Sequence, residues 1–220
     1  MKRWRLLPVL ALVFASGAAH AAPAWKWITR EKGIAVAQRE VPGRDFPTFR
    51  GVGVVNASIF QILGVLSDTP RHTQWMDRCI EARLLRKVSE KEYIVYSRTD
   101  VPWPISDRDA VYHSKVHVDL KRRLVDIRFR AVKSPLKGVV KGVVRMTRLR
   151  GHYKLTARST TSTLVDFQVD ANPAGSIPKW LAKAATKRLP LQTILKLRKQ
   201  VVKTRGRYNK RIQRWKVLKH

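Results

Sequence analysis

Apolar and polar residues alternate in short runs along most of this chain, a two-residue period that predicts half-buried strands. Ile34 to Val41 and Thr48 to Val55 are the first two, separated by the turn residues Pro42-Gly43-Arg44-Asp45. Trp25 and Trp27, just ahead, are expected to pack down the N-terminus. The period then lengthens. Ile59, Ile62, Leu63 and Leu66 recur at three and four residues behind a capping Ser58 or Asn56, which predicts a helix over 58–66. Asp68-Thr69-Pro70 ends it and starts a short turn reaching Trp75. The two-residue period returns in Cys79 to Val88 and Glu92 to Val101, a hairpin around Ser89-Glu90-Lys91. Beyond Pro102-Trp103-Pro104 it continues in Asp109 to Leu120, Arg123 to Lys133, Val139 to Leu149, Tyr153 to Arg158 and Thr163 to Val169.

Strands joined by short local turns imply an antiparallel sheet. Its faces follow from alternation. Tyr112, Ser114 and Val116 oppose His113, Lys115 and His117, while Val125, Ile127 and Phe129 oppose Asp126, Arg128 and Arg130. One face is apolar with a few small polar groups, and the other is strongly charged. The dry face needs a cover. The one long element left to supply it is the stretch after Asp170, so the fold class is α+β with the helices on one side of the sheet.

That stretch turns at Asn172-Pro173-Ala174-Gly175 and becomes a helix, with Ser176 as N-cap and Pro178 in the first turn. Ile177, Trp180, Leu181, Ala184, Ala185 and Leu189 share one side of it. The small residues there admit two readings: close packing of helix on sheet, or room left for a ligand. Further on, Leu197, Val201, Tyr208, Ile212 and Trp215 form a sparse apolar stripe through a basic tail. It reads either as an amphipathic helix lying on anionic lipid or as a solvated segment interrupted by Gly206.

Composition changes the picture through charge. Lysine and arginine number 46 against 15 acids, a formal net charge of +31, and no acid follows Asp170. Such a surface associates with polyanions, meaning nucleic acid or an anionic membrane. The N-terminus chooses between them. Lys2, Arg3 and Arg5 precede an apolar run from Leu6 to Ala15, and Ala19-His20-Ala21 is a cleavage site, so residues 1–21 read as a signal peptide. Export, in this reading to the periplasm, makes nucleic acid an unlikely partner and a transient anionic-membrane contact the better one. The body spans 22–200 and a basic tail 201–220. Cys79 is the single cysteine, so no intramolecular disulfide forms.

Catalytic signatures are not found. The sequence has no G-x-S-x-G, P-loop, H-E-x-x-H or cysteine cluster. His113 and His117 would stand roughly 13 Å apart along a strand, too far to share a metal. No enzyme, cofactor or metal is implied.

Four segments, in order, carry a family resemblance. They are Asp68-Thr69-Pro70-Arg71-His72-Thr73-Gln74-Trp75-Met76-Asp77, then Pro102-Trp103-Pro104 leading to Arg108-Asp109, then Val144-Arg145 with Gly151-His152-Tyr153, and Gly175-Ser176-Ile177-Pro178-Lys179-Trp180-Leu181. Over residues 25 to 200 the chain resembles the START domain (steroidogenic-acute-regulatory-related lipid-transfer) family, as an exported bacterial member. The resemblance implies a helix-grip fold, in which a curved antiparallel sheet is closed by the C-terminal helix around a hydrophobic cavity. It also implies a non-enzymatic protein that shields one lipid. On that basis Tyr96, Arg98, Tyr112, Ser114, Arg145 and Thr147 are candidates for orienting a polar head. Phe129, Val165, Phe167, Trp180, Leu181, Ala184 and Ala185 are candidates for the wall. Arg108 and Asp109 read as a loop-fixing pair and are left out of the site. Two other readings remain: a helix-grip cyclase or hydrolase acting on a small hydrophobic substrate, and a polyanion-binding module.

Overall fold

The alternating runs pair into one curved sheet. The computed structural model describes residues 23–175 and 177–217, the side chains of 179–187, 214, 216 and 217 excepted. Among the described residues ten strands form the sheet: β1 (Lys26–Glu31), β2 (Ile34–Arg39), β3 (Thr48–Val55), β4 (Cys79–Ser89), β5 (Glu92–Thr99), β6 (Asp107–Asp119), β7 (Leu124–Ala131), β8 (Val143–Arg145), β9 (Arg148–Ala157) and β10 (Thr163–Asn172). Their order is β1-β2-β3-β10-β9-β7-β6-β5-β4, antiparallel throughout, with the short β8 lying parallel to β6. Helix α1 (Ile59–Ser67) and a 3-10 turn (Thr69–Gln74) separate β3 from β4, and α2 (Lys179–Lys203) and α3 (Asn209–Val217) follow β10. This is the helix-grip arrangement, a large antiparallel sheet held by a C-terminal helix.

Helix α2 can lie close to the sheet because β3 carries glycines where other strands carry side chains. A Cβ on Gly51 would stand 2.9 Å from Cβ of Pro190 and 3.1 Å from its carbonyl oxygen. One on Gly53 would stand 3.3 Å from Cγ2 of Ile194. Pro190 sits inside α2, buried against this strand. Arg198 fastens the helix's second half, donating from Nε to the carbonyl of Val54 at 2.8 Å and from Nη1 to that of Lys32 at 2.7 Å. Asp77 holds the helix from the other flank, accepting from Lys196 at 2.7 Å and from Arg188 at 3.0 Å. Ile194, Leu197, Ile62, Leu63, Leu155 and Val165 are all fully buried and form the centre of the core between helices and sheet.

Four expectations are corrected. Lys26–Glu31 is a strand and Trp27 is 56% exposed, so that tryptophan does not pack down the N-terminus. The hairpin turn is Lys32-Gly33, both in the left-handed region, and Lys32 is not a residue type that announces such a turn. Val139 to Leu149 is not one strand but two pieces. β8 is drawn alongside β6 by the Arg145–Asp109 pair, and β9 starts afresh at Arg148. Pro178 is the N-cap of α2 and not a first-turn residue; Ser176 lies outside the described residues. The apolar stripe of the tail does not lie on lipid. Val201, Tyr208 and Trp215 are buried in the protein's own core, and Gly64 of α1 makes room for the Tyr208 ring, 2.5 Å from where a Cβ would be. Burial inside the fold removes the same apolar area from water that a membrane would.

Candidate functional site

Strand register sorts the predicted site residues onto two faces. Ser114 pairs with Phe129, Phe129 with Gly151 and Tyr153 with Phe167, so these side chains share the concave face under α2 with Tyr112. Four aromatic rings run across it. Tyr112 meets Phe129 edge-on at 6.0 Å, Phe129 lies 6.1 Å from Tyr153, and Tyr153 stacks on Phe167 at 4.6 Å. Gly151 makes the ladder possible, because a Cβ there would stand 2.6 Å from the Phe129 ring. Burial pushes the Tyr112 and Tyr153 hydroxyls well above the ordinary phenol value, so both stay neutral and serve only as hydrogen-bonding groups.

The concave face has two halves. Val116, Val125, Ile127, Leu155 and Val165 are tightly packed. Val165, completely buried, is therefore a core residue and not part of an open wall. At the end from which α2 departs, Tyr112, Ser114, Phe129, Ala131, Leu149 and Ala171 are only half-buried. This apolar end, with one hydroxyl from Ser114 and one from Tyr112, is the candidate site. Trp180, Leu181, Ala184 and Ala185 belong to the first turns of α2 and lie outside the residues whose side chains are described.

Three predicted head-group residues are on the wrong face. Tyr96 pairs with Val111 and Arg98 with Asp109, out of phase with Tyr112. They lie on the outer face of the sheet, Tyr96 fully buried and Arg98 half-buried. Arg98 meets Asp107 at 2.6 Å. Arg145 grips Asp109 through two bonds of 2.6 and 3.0 Å and donates to the carbonyl of Gly138 at 2.9 Å. Lys137 of the same loop, 132–142, covers the Tyr96 ring at 4.6 Å. Burial, with Asp109 and Glu81 nearby, pushes the Tyr96 hydroxyl up to about 12. Arg145 and Lys137 fasten the loop, and Arg98 is spent on β6. Thr147 is exposed at the bend between β8 and β9, away from the concave face. Residue type had suggested all four; strand parity turns Tyr96, Arg98 and Arg145 away from the concave face, and Thr147 lies outside the strands.

Ala131, Leu149, Gly151, Tyr153 and Ala171 were missed as site residues, although alternation with Phe129 and Phe167 marks each of them. Arg108 was read as loop-fixing, and its geometry is of that kind. Its buried guanidinium donates to the carbonyls of Pro173 at 3.1 Å, Ala174 at 3.0 Å and Ser106 at 2.5 Å. It thereby ties β6 to the turn from which α2 departs. Around this end of the molecule Trp103 is 92% and Val139 82% exposed. His72 is buried and bonded to the carbonyl of Leu66, and burial pushes its pKa down to about 4. Among the described residues no three His, Cys, Asp or Glu side chains are grouped to hold a metal.

Comparison with known proteins points the same way as this geometry. The START domain family model matches residues 9–206. A Pseudomonas aeruginosa protein, Uncharacterized protein PA1579, is 31% identical over 196 residues, 88% of this chain and 95% of its own. Phosphatidylcholine transfer protein of Mus musculus is 24% identical over 166 residues, 74% of this chain and 77% of its own. Among solved structures, a STAR-related lipid transfer protein fragment from Xanthomonas axonopodis is 31% identical with a TM-score of 0.73, covering 81% of this chain and 98% of that one. Human StAR-related lipid transfer protein 5, at 17% identity and a TM-score of 0.74 over 81% of this chain and 86% of its own, shares the fold.

Proposed function

Since this chain belongs to the START domain family, we propose that it is an exported, periplasmic lipid carrier that holds one hydrophobic ligand between its sheet and α2. Lipid binding or transfer is what its relatives' names describe; export, the single ligand and the route are this proposal. The observation that carries it is the half-buried aromatic end of the concave face. Tyr112, Phe129, Leu149 and Ala171 present apolar surface there that the fold does not fully pack. An acyl chain would gain roughly 0.8 kcal/mol per methylene by covering it. The neutral hydroxyls of Ser114 and Tyr112 would orient the less apolar end of the ligand.

Entry would use the end of the molecule where α2 begins. Release of the Arg108 contacts frees the 173–175 turn, α2 hinges at Pro190, and loop 132–142 moves aside. The exposed Trp103 and Val139 would dip into the interface while the strongly basic chain is drawn to anionic lipid. The test is to express the chain in bacteria, purify it without detergent, and record native mass spectra followed by lipid extraction. A co-purified lipid near one per chain is expected. Apo protein that takes up no phospholipid, sterol or fatty acid from vesicles would end this reading.

A further inference from the structure

A second site lies outside the concave face, in a surface pocket of about 470 Å³ between the second half of α2 and the segment leading into β4. None of the half-buried ligand-site residues lines it. Its α2 wall is a row of lysines. Lys196, Lys199 and Lys203 follow at three- and four-residue spacing, so they stand on one side of the helix with neighbouring Cβ atoms about 5–6 Å apart. Lys196 is neutralised by Asp77 at 2.7 Å. Among the described residues no carboxylate pairs with Lys199 or Lys203. Like charges at this spacing repel, and nothing in the fold requires them there.

The opposite wall carries a second neutralised cation, Arg78, beside the Asp100 carboxylate. Arg78 is held in the left-handed region at φ 55°, a conformation that costs a non-glycine residue energy. Its backbone carbonyl accepts from the Asp100 amide at 2.8 Å, and its guanidinium meets the Asp100 carboxylate at 2.8 Å. The floor is mixed. Gln200, only 3% exposed, donates to Gln74 at 3.3 Å, and Ile80 leaves 52% of its surface bare beside it. A cationic rim over a partly apolar floor is the chemistry that recognises a phosphoryl anion attached to an apolar body.

We infer that the pocket lined by Lys199 and Lys203 is a phosphoryl-binding site separate from the candidate ligand site on the concave face, filled by an anionic lipid headgroup or by a soluble phosphate. Either source would place two or three charge-assisted hydrogen bonds on the phosphoryl oxygens. Occupied by a headgroup, the site would hold the flank of α2 at the membrane while its first turns open.

The test uses the full chain at fixed ionic strength. Binding of inorganic phosphate is measured by calorimetry, and binding to phosphatidylcholine vesicles with and without phosphatidic acid by co-sedimentation. The Lys199→Gln/Lys203→Gln variant is compared with Arg130→Gln/Lys154→Gln, which removes the same charge from exposed positions on the outer sheet face. The pocket variant should weaken binding roughly tenfold and the control by less than about twofold, as loss of a charge-assisted bond rather than of net charge predicts. An effect on phosphate identifies a soluble ligand, and one on phosphatidic acid vesicles alone identifies a headgroup. Arg78→Gly gives an independent readout: it leaves the Asp100 carboxylate unpaired in the pocket, so affinity should fall, while relief of the backbone strain offsets the lost surface ion pair and thermal stability is kept. Equal weakening by both double variants, or no binding of either probe by the unaltered chain, overturns the site.

Discussion

Replacing Arg108 by Met tests whether α2 is latched at its start. The substitution keeps an apolar stem of similar length and removes the guanidinium. Three bonds are lost, two of them to the carbonyls of Pro173 and Ala174 across the gap between β6 and the 173–175 turn. Hydrogen bonds from a charged donor contribute about 1.5–3 kcal/mol each. Two offsets reduce the total. Burying the guanidinium is itself costly, as its lowered pKa records. The freed carbonyls belong to half-exposed residues and regain water. A net loss of about 2–3 kcal/mol follows, concentrated on the attachment of α2 rather than on the sheet. Hydrogen exchange should show the amides of α2 opening earlier while those of β7 and β9 keep their protection, and lipid transfer between vesicles should speed up. If protection falls equally in helix and sheet and transfer is unchanged, Arg108 is an ordinary core contact and the latch does not exist.

Three further outcomes follow from the same structure. Gly51→Val would drive a side chain into Pro190, destabilising the protein by about 1–3 kcal/mol and lowering the lipid content, read from the urea midpoint and native mass spectra. Burial lowers the His72 pKa from 6.5 in the unfolded chain to about 4, so its contribution is complete above pH 6.5 and is lost as pH falls toward 4. That drop is at most about 3 kcal/mol, and His72→Phe should flatten the stability–pH curve in this window. Trp103→Ser with Val139→Ser should weaken vesicle binding while leaving the melting temperature unchanged, because both side chains are almost entirely exposed and contribute little to packing.

Period and alternation carried most of the secondary structure. They located Thr48–Val55 to the residue, α1 to within a residue at each end, and β4, β5, β6, β7 and β10 to within three residues, but not β8 or the start of β9. They failed where a tertiary contact overrode local preference. The Lys32-Gly33 turn is imposed by the pairing of β1 with β2 and fastened by Arg198 from another element. β8 exists because Asp109 holds Arg145, a pair 36 residues apart that no local pattern announces. For the candidate site, the shared face of Tyr112, Ser114, Phe129 and Phe167 was legible from alternation. Tyr96, Arg98 and Arg145 were chosen by chemistry instead, and a one-residue step along a strand turned the first two to the outer face of the sheet.

By itself, then, the amino-acid order determined most of the elements, the two-faced character of the sheet, the basic charge and the family, since each depends on neighbours or on short motifs. Which charged groups are spent on the fold was decided only in three dimensions. Asp109 and Asp77 neutralise cations brought from distant segments, whereas Lys199 and Lys203 are left facing a pocket. The same holds for the tail. A sparse apolar stripe reads alike whether it meets lipid or protein, and only the docking of Tyr208 on Gly64 assigns it to the core. Burial depends on what lies across the gap, and that partner is supplied by the fold, not by the neighbouring residues in the chain.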